Sequence, residues 1–231
     1  MNKRKGIEEA IAQIPHGAVI MVGGFGSPGT PFSLIDELLK QGQKDLTLIK
    51  NDANEKSIGI SKLIENGQVA KLITTHIGLN KGVVERMNSG VLDVEFYPQG
   101  ILAEKIRIAG AGCYGFLSDI GIDSEITDPE QLIEVKGKTL KLETALTAQY
   151  ALIHADKADS YGNLVYSASA MNFCPLMAMA ADHVIAETSQ LVAVGDLVPE
   201  SIHTPSAFVS SVVNLEVLTK EYDVMEARFG Y

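Results

Sequence analysis

The sequence predicts an α/β protein: an open, mostly parallel sheet with helices on both faces and antiparallel additions in the second half. Three observations carry this. Four strand–helix units follow one another in the first half at a spacing of about 25 residues, the rhythm of crossover connections. Their strands read as continuous apolar runs, which suits strands covered on both faces. The 231 residues, 46% hydrophobic and 21% charged, have the balance of a globular chain large enough to bury a core.

Taken in order, Ile7, Ala10, Ile11 and Ile14 recur at helical spacing and mark a short amphipathic helix. "AVIMV" (18–22) is a strand. Thr30 can cap and Pro31 can open the next helix, which carries Leu34, Ile35, Leu38 and Leu39 on one face and stops at Gly42. "LTLIK" (46–50) is the second strand, followed by a helix from near Ser57 that holds Ile60, Leu63 and Ile64 and ends at Gly67. "KLITT" (71–75) precedes a helix with Val83, Val84 and Met87, and "VLDVEFY" (91–97) precedes one with Ile101, Leu102, Lys105 and Ile106.

The second half is less regular. "QLIEVKGKTLKLE" (131–143) reads as an antiparallel hairpin turning at Lys136-Gly137-Lys138. "YALIHA" (150–155), "NLVYSA" (163–168) and "HVIAE" (183–187) read as further strands, with a helix at 171–181 between the last two. No linker or low-complexity stretch divides the chain, so residues 1–231 are read as one domain with a mixed sheet.

Charge and cysteine usage narrow the function classes. Nineteen basic against twenty-nine acidic residues give a net charge of −10, and only Lys3-Arg4-Lys5 forms a basic run, so nucleic acid is a poor partner. No uncharged apolar run approaches the roughly 20 residues of a membrane-spanning helix. The N-terminus lacks an apolar core long enough for a signal peptide. Cys113 and Cys174 lie far apart in no metal-ligand spacing, which suggests two reduced thiols in a cytoplasmic protein. No metal site is expected.

In an open parallel sheet, ligands bind outside the carboxyl ends of the strands. The four junctions there read "GGFGSPG", "NDAN", "HIGLN" and "PQG", all small or amide-bearing. Such residues are ordinary in turns, and any one junction needs no further explanation. Four glycines in seven residues at the first junction exceed what a turn requires. Gly24-Phe25-Gly26-Ser27-Pro28-Gly29 has the spacing of a dinucleotide fingerprint, but Pro28 removes a backbone donor and Asp52 falls late for the ribose carboxylate. No lysine follows the last glycine, which excludes a Walker A loop.

"GGFGSPGTP" after "HGAVIMV" resembles the signature loop of the class I coenzyme A transferases in their α subunit. The resemblance continues through "LIDELLKQGQKDLTLIKND", "HIGLN", "MNSG", "FYPQGILAEKIR", "AGAG", "ADSYGNLVY" and "MNFCPLMAMAAD", covering about residues 5 to 213. "THIGLN" and "RMNSG" take the form of the acetate, acetoacetate and butyrate type rather than the β-ketoadipate type. The resemblance implies that Gly23, Gly24, Phe25, Gly26, Ser27, Pro28 and Gly29 cradle coenzyme A, a substrate rather than a tightly bound cofactor. Glycines let a ligand approach the backbone without a Cβ, and amides near a helix start can face a negative group. It further implies that Asn51, His76 and Gln99 line the transfer site, with the Gln99 backbone N–H donating to the oxyanion. The attacking glutamate of the family, in a Ser-Glu-Asn-Gly context, belongs to a β subunit, so a partner chain and an α₂β₂ assembly are implied.

Ile64-Glu65-Asn66-Gly67 imitates that motif, but Glu65 closes a helix and Gly67 sits where a helix stops, so Glu65 is read as structural. His154 reads as a core histidine, Glu104 and Arg107 as a surface ion pair at i, i+3, and "MAMAA" (177–181) as helical core. The chain departs from the family at Met171, where Arg or Lys is usual, at Ala109, and across 117–124. Two other readings stay open: a sugar-phosphate isomerase on a related fold, and a non-catalytic module that binds acyl-CoA.

Overall fold

The chain alternates short strands and helices through its first half. In chain order these are β1 (Arg4–Lys5), α1 (Ile7–Ile11), β2 (Val19–Val22), α2 (Phe32–Gln41), β3 (Leu46–Ile49), α3 (Ile60–Glu65), β4 (Val69–Thr74), α4 (Lys81–Asn88), β5 (Asp93–Phe96) and α5 (Gln99–Gly110). Then follow β6 (Gly115–Ser118), β7 (Leu132–Val135), β8 (Lys138–Thr144), β9 (Ala148–Asp159), β10 (Leu164–Val165), α6 (Cys174–Ala180), β11 (Ala181–Val192) and β12 (Ser211–Asn214). The structure, a computed structural model, describes residues 2–125 and 127–222.

The main sheet runs β1-β12-β11-β9-β2-β3-β4-β5, with β10 antiparallel to β9 and every other pairing parallel. Side chains alternate across it, as the pleat demands. Ile20 and Val22 of β2, Leu48 and Leu72 pack with Leu34, Leu38, Ile60, Leu63 and Val83 of α2, α3 and α4. Met21, Ile49 and Ile73 face the other way and pack with Leu102 and Ile106 of α5, with Met177 of α6 and with Phe173 just before it. Both faces are therefore covered by helices.

The strand order fixes the place of a site. From β2 the chain steps outward through β3, β4 and β5, then returns and builds β9, β11 and β12 on the opposite side of β2. The reversal falls between β2 and β9, which are paired through Ile20, Met21 and Val22. A crevice opens at such a switch point because the two connections leave on opposite faces. The glycine loop leaves the carboxyl end of β2 at that point.

Several elements differ from expectation. The hairpin turns at Lys136 and Gly137, both at positive φ, as a two-residue loop requires. However, β7 and β8 do not join the main sheet; with β6 they form a separate three-stranded sheet. The strand at 163–168 shrinks to Leu164–Val165, while those at 150–155 and 183–187 lengthen to twelve residues each. Helix α3 starts at Ile60 rather than near Ser57, because Asn54 Oδ1 accepts the Ile60 N–H at 3.1 Å and so caps it there. Thr30 does not cap α2: Pro31 occupies the cap position, and the Thr30 hydroxyl donates to the Gly26 carbonyl at 2.7 Å.

Lys105, on the apolar face of α5, is buried because Glu143 of β8 reaches it: Nζ to Oε2 is 3.1 Å, and Lys141 takes Oε1 at 3.0 Å. This cluster ties the small sheet to the main body. Glu143→Ala would remove the carboxylate that both lysines contact, and breaking a buried pair costs about 3–5 kcal/mol. A clear fall in the urea midpoint of the purified chain is expected; an unchanged midpoint would show that the cluster does not anchor the small sheet.

Candidate functional site

The first junction is held by the second. Lys50, at the end of β3, is 0% exposed and aims Nζ at the carbonyl oxygens of Gly24 and Gly26, at 3.2 and 3.3 Å. The Gly26 carbonyl also accepts from Thr30 Oγ1 at 2.7 Å and Asn54 Nδ2 at 2.8 Å. Its N–H donates to Asp52 Oδ2 at 2.7 Å. Both sides of one glycine are thus clamped by residues of "KNDAN".

Asp52 is the anionic half of the clamp. Its Oδ2 accepts from Gly26 N–H and Asn51 Nδ2, its Oδ1 from the Asn54 N–H at 2.9 Å, and Lys50 Nζ lies 3.8 Å away. Burial would raise its pKa, but the Lys50 charge and the three N–H donors outweigh that and hold the carboxyl below its ordinary value. For Lys50, burial pushes the amine below its ordinary value, opposed by Asp52. Asp52 therefore serves the loop itself. That explains why it falls late for the ribose contact of a dinucleotide site.

The glycines of the loop do different jobs. A Cβ on Gly24 (φ +105°) would lie 2.2 Å from Thr30 Oγ1 and 2.8 Å from the Thr30 nitrogen. A Cβ on Gly23 would meet Cys174 Sγ at 2.7 Å, and one on Gly29 the Ala170 carbonyl at 2.4 Å. These three glycines let the loop pack on itself and on its neighbours. A Cβ on Gly26 (φ +59°) would meet nothing within 4 Å and point into open space. Gly26 is the loop glycine past which a ligand has room to approach. The loop amides are less available: Phe25 N–H donates to the Pro28 carbonyl at 3.1 Å and Gly26 N–H to Asp52.

Two recesses flank Phe25, which is 48% exposed. One, a cavity of about 290 Å³, is lined by Phe25, Gly26, Ser27, Pro28, the "DANE" stretch 52–55, and His76, Ile77, Leu79 and Asn80. Three of the four junctions meet in it. His76 sits on its wall, bridged in parallel to Asp52, with Nδ1 3.1 Å from Thr75 Oγ1. The other recess, about 310 Å³, lies between Phe25, α5 and α6 and is lined by Gln99, Gly100, Ala103, Asn172, Phe173 and Leu176.

Gln99 is the first residue of α5, where the helix supplies no acceptor for the backbone N–H. Its carboxamide is fixed behind: Nε2 donates to Asn51 Oδ1 at 2.7 Å. Asn51 is 0% exposed and opens onto neither recess; it bridges Gln99 to Asp52. The structure thus brings Asn51, Gln99 and the glycine loop together, while Gln99 and His76 open onto different sides of Phe25.

Other candidates fall outside this edge. Glu65 accepts from Ser61 Oγ at 2.7 Å and from the Ser57 N–H at 3.0 Å, as a helix terminus would. Glu104 and Arg107 form the expected ion pair, with two contacts of 2.8 Å. Cys113 is exposed, Cys174 is buried, and both are free thiols. Met171 is exposed and Ala109 packs against the α5–α6 side of the core. No described helix is long and apolar enough to cross a membrane, and no described cluster of His, Cys, Asp or Glu fits a metal. Reading the sequence missed Lys50 and Asn54, although a lysine closing an apolar strand two residues before an aspartate is the visible trace of the pair.

Fold and site together define an α/β protein with a clamped glycine loop at a sheet switch point. Residues 4–215 match the profile of a family described as Coenzyme A transferase. The chain is 47% identical over 211 residues to a probable coenzyme A transferase subunit alpha of Bacillus subtilis (strain 168), covering 91% of this chain and 92% of that protein. It is 44% identical over 207 residues to the acetate CoA-transferase subunit alpha of Escherichia coli (strain K12), covering 90% and 94% respectively. An acyl-CoA transferase apoenzyme (YdiF) of Escherichia coli O157:H7 superposes with a TM-score of 0.80 at 25% identity over 93% of this chain. This chain spans about half of that one, 47% of its length. The chain belongs to the coenzyme A transferase family.

The division among the glycines is testable. Gly26→Ala should fold and lose only the about 1–2 kcal/mol of a left-handed non-glycine residue. Gly24→Ala drives a methyl group into the Thr30 backbone and should lose clearly more, read by thermal unfolding. Equal losses would contradict the assignment.

Proposed function

We propose that this chain is the α subunit of a CoA-transferase that moves CoA between a short-chain acyl-CoA and a short-chain carboxylate, with acetate, butyrate and acetoacetate as the leading acids. The reaction is a double displacement on a glutamate of a β subunit. The glutamate carboxylate attacks the thioester carbonyl, the C–S bond breaks, and CoA leaves as thiolate, giving an acyl-glutamyl anhydride. The thiolate then attacks the glutamyl carbonyl, expelling the first carboxylate and leaving a glutamyl-CoA thioester. The acceptor acid runs these steps in reverse. Splitting the exchange this way replaces one hard step with easier ones.

The single observation that carries this reading is a receptive edge whose buried carboxylate is already committed. Asp52 accepts three N–H donors and faces Lys50, so its oxygens are not available to attack. A nucleophile from another chain fits the open side of Gly26, and Gln99 N–H at the start of α5 suits the oxyanion of the attacked carbonyl. The walls support a short monocarboxylic acid. Ala53, Ile77, Leu79 and Phe25 are apolar, and no lysine or arginine is among the described lining residues to bind a second carboxylate.

The chain alone should show no exchange, and should gain it with its β subunit, in an α₂β₂ assembly. After acyl-CoA and borohydride, the reduced glutamyl adduct should sit on the β subunit, with the mass of this chain unchanged. An adduct on Glu55 or Glu65, or turnover without a partner, would overturn the proposal. In the assembled enzyme Gly26→Val should abolish turnover. Gln99→Ala should cost less than the about 3–4 kcal/mol of a lost oxyanion donor, because the donor is the backbone. Exchange confined to succinate or 3-oxoadipate would contradict the substrate class.

A further inference from the structure

Helix α2 follows the glycine loop, yet it has no cap of its own. Pro31 at the cap position offers no side-chain acceptor, and Thr30, the nearest hydroxyl, is turned back to the Gly26 carbonyl at 2.7 Å. The acceptors come from outside the loop: the Tyr222 hydroxyl accepts the Phe32 N–H at 3.3 Å, and a carboxylate from across the sheet takes a second donor. Glu187 of β11 is 0% exposed and its Oε2 accepts the Leu34 N–H, in the first turn of α2, at 2.9 Å. Its Oε1 accepts from His154 Nδ1 of β9 at 2.9 Å, and the Tyr222 hydroxyl also donates to it.

A buried carboxylate with no solvent access costs stability unless its oxygens are satisfied. Here it satisfies a helix start that would otherwise need Thr30. The two side chains divide the work: Glu187 holds the helix, which leaves Thr30 free to hold the loop. His154, half-buried between Glu187 and a cavity of about 340 Å³ lined also by Ser27, Pro28, Gly29 and Thr30, fixes the carboxylate's rotamer. Burial pushes the Glu187 carboxyl above its ordinary value, with His154 and the Leu34 N–H opposing.

We propose that Glu187 is a positioning residue for the transfer reaction: it acts as a remote cap of α2 and sets the conformation of the glycine loop without touching substrate. This rests on the loop being the site of CoA approach, as proposed above. The requirement is geometric, an acceptor reaching Leu34 and His154 together, and charge alone does not meet it.

The test uses the assembled enzyme and three variants. Glu187→Gln keeps the length and an acceptor for Leu34, and can donate to His154. Glu187→Asp keeps the charge but is one methylene too short to reach both. Glu187→Ala removes the cap. Misplacing a positioned group costs up to about 100-fold, so kcat/KM should fall at least about tenfold in the Asp and Ala variants. The Gln variant should stay within about threefold of the parent. A folded Asp variant with parental kinetics, or a Gln variant as impaired as Asp, would overturn the proposal; if Ala does not fold, Gln and Asp decide.

A second readout does not need activity. The chain has no tryptophan, so Phe25→Trp places a single reporter on the loop. In that background Glu187→Asp should raise acrylamide quenching and Glu187→Gln should not. Identical quenching in all three would contradict positioning even if the transfer reaction itself proved to be another one.

Discussion

The ammonium of Lys50 lies with 0% exposure beneath a loop of four glycines, between the carbonyl oxygens of Gly24 and Gly26. A charge in that place is tolerable only if it is neutralised, and Asp52 does so from two residues further along the chain. The pair is the constraint on which the rest of the edge depends. It draws the first two junctions together, and the carboxylate that balances Lys50 also takes the Gly26 N–H. Asn51 then links Asp52 to Gln99, so the fourth junction is referenced to the same charge pair.

This arrangement separates rigidity from reach. Glycine content commonly signals mobility, but three of the loop's glycines are required by contacts that a methyl group would break, and one is required by open space. The loop is stiff where it meets Cys174, Thr30 and Ala170, and bare at Gly26. A bare, fixed backbone suits a reaction in which a thioester carbonyl must be placed within reach of an attacking group, because placement supplies much of the rate. The buried carboxylates Asp52 and Glu187 are both committed to holding the backbone, which supports the proposal that the attacking group comes from a partner chain.

Much of this was legible in the sequence. The four strand–helix units, the hairpin turn and the family resemblance all rest on local spacing or on quoted motifs, and the fold and the family match carry them as read. Partners distant in sequence were not legible. Glu187 ends "HVIAE" and reads as a charge leaving a strand, yet its partner Leu34 is 153 residues away. Lys50 reads as a strand-end lysine, and Thr30 as a helix cap, because the competing acceptor, the Gly26 carbonyl, exists only once the loop has closed. The separate small sheet was missed for a related reason. Alternation marks β7 and β8 as strands but does not say which edge they join, and the buried Lys105–Glu143 contact decides it.

The clamp can be tested by a double-mutant cycle with Lys50→Met and Asp52→Asn, singly and together, followed by urea unfolding. Residues sharing a charge network couple by about 0.5–3 kcal/mol. Asp52 has a folded pKa below its unfolded value near 3.9, so the stability it contributes is full above about pH 4 and is lost as pH falls through the folded pKa. If the pair holds the loop, the coupling should exceed about 1 kcal/mol at neutral pH and fade on acidification through that range. Strictly additive losses at neutral pH would contradict it, because the glycine loop would then be held by something other than Lys50 and Asp52.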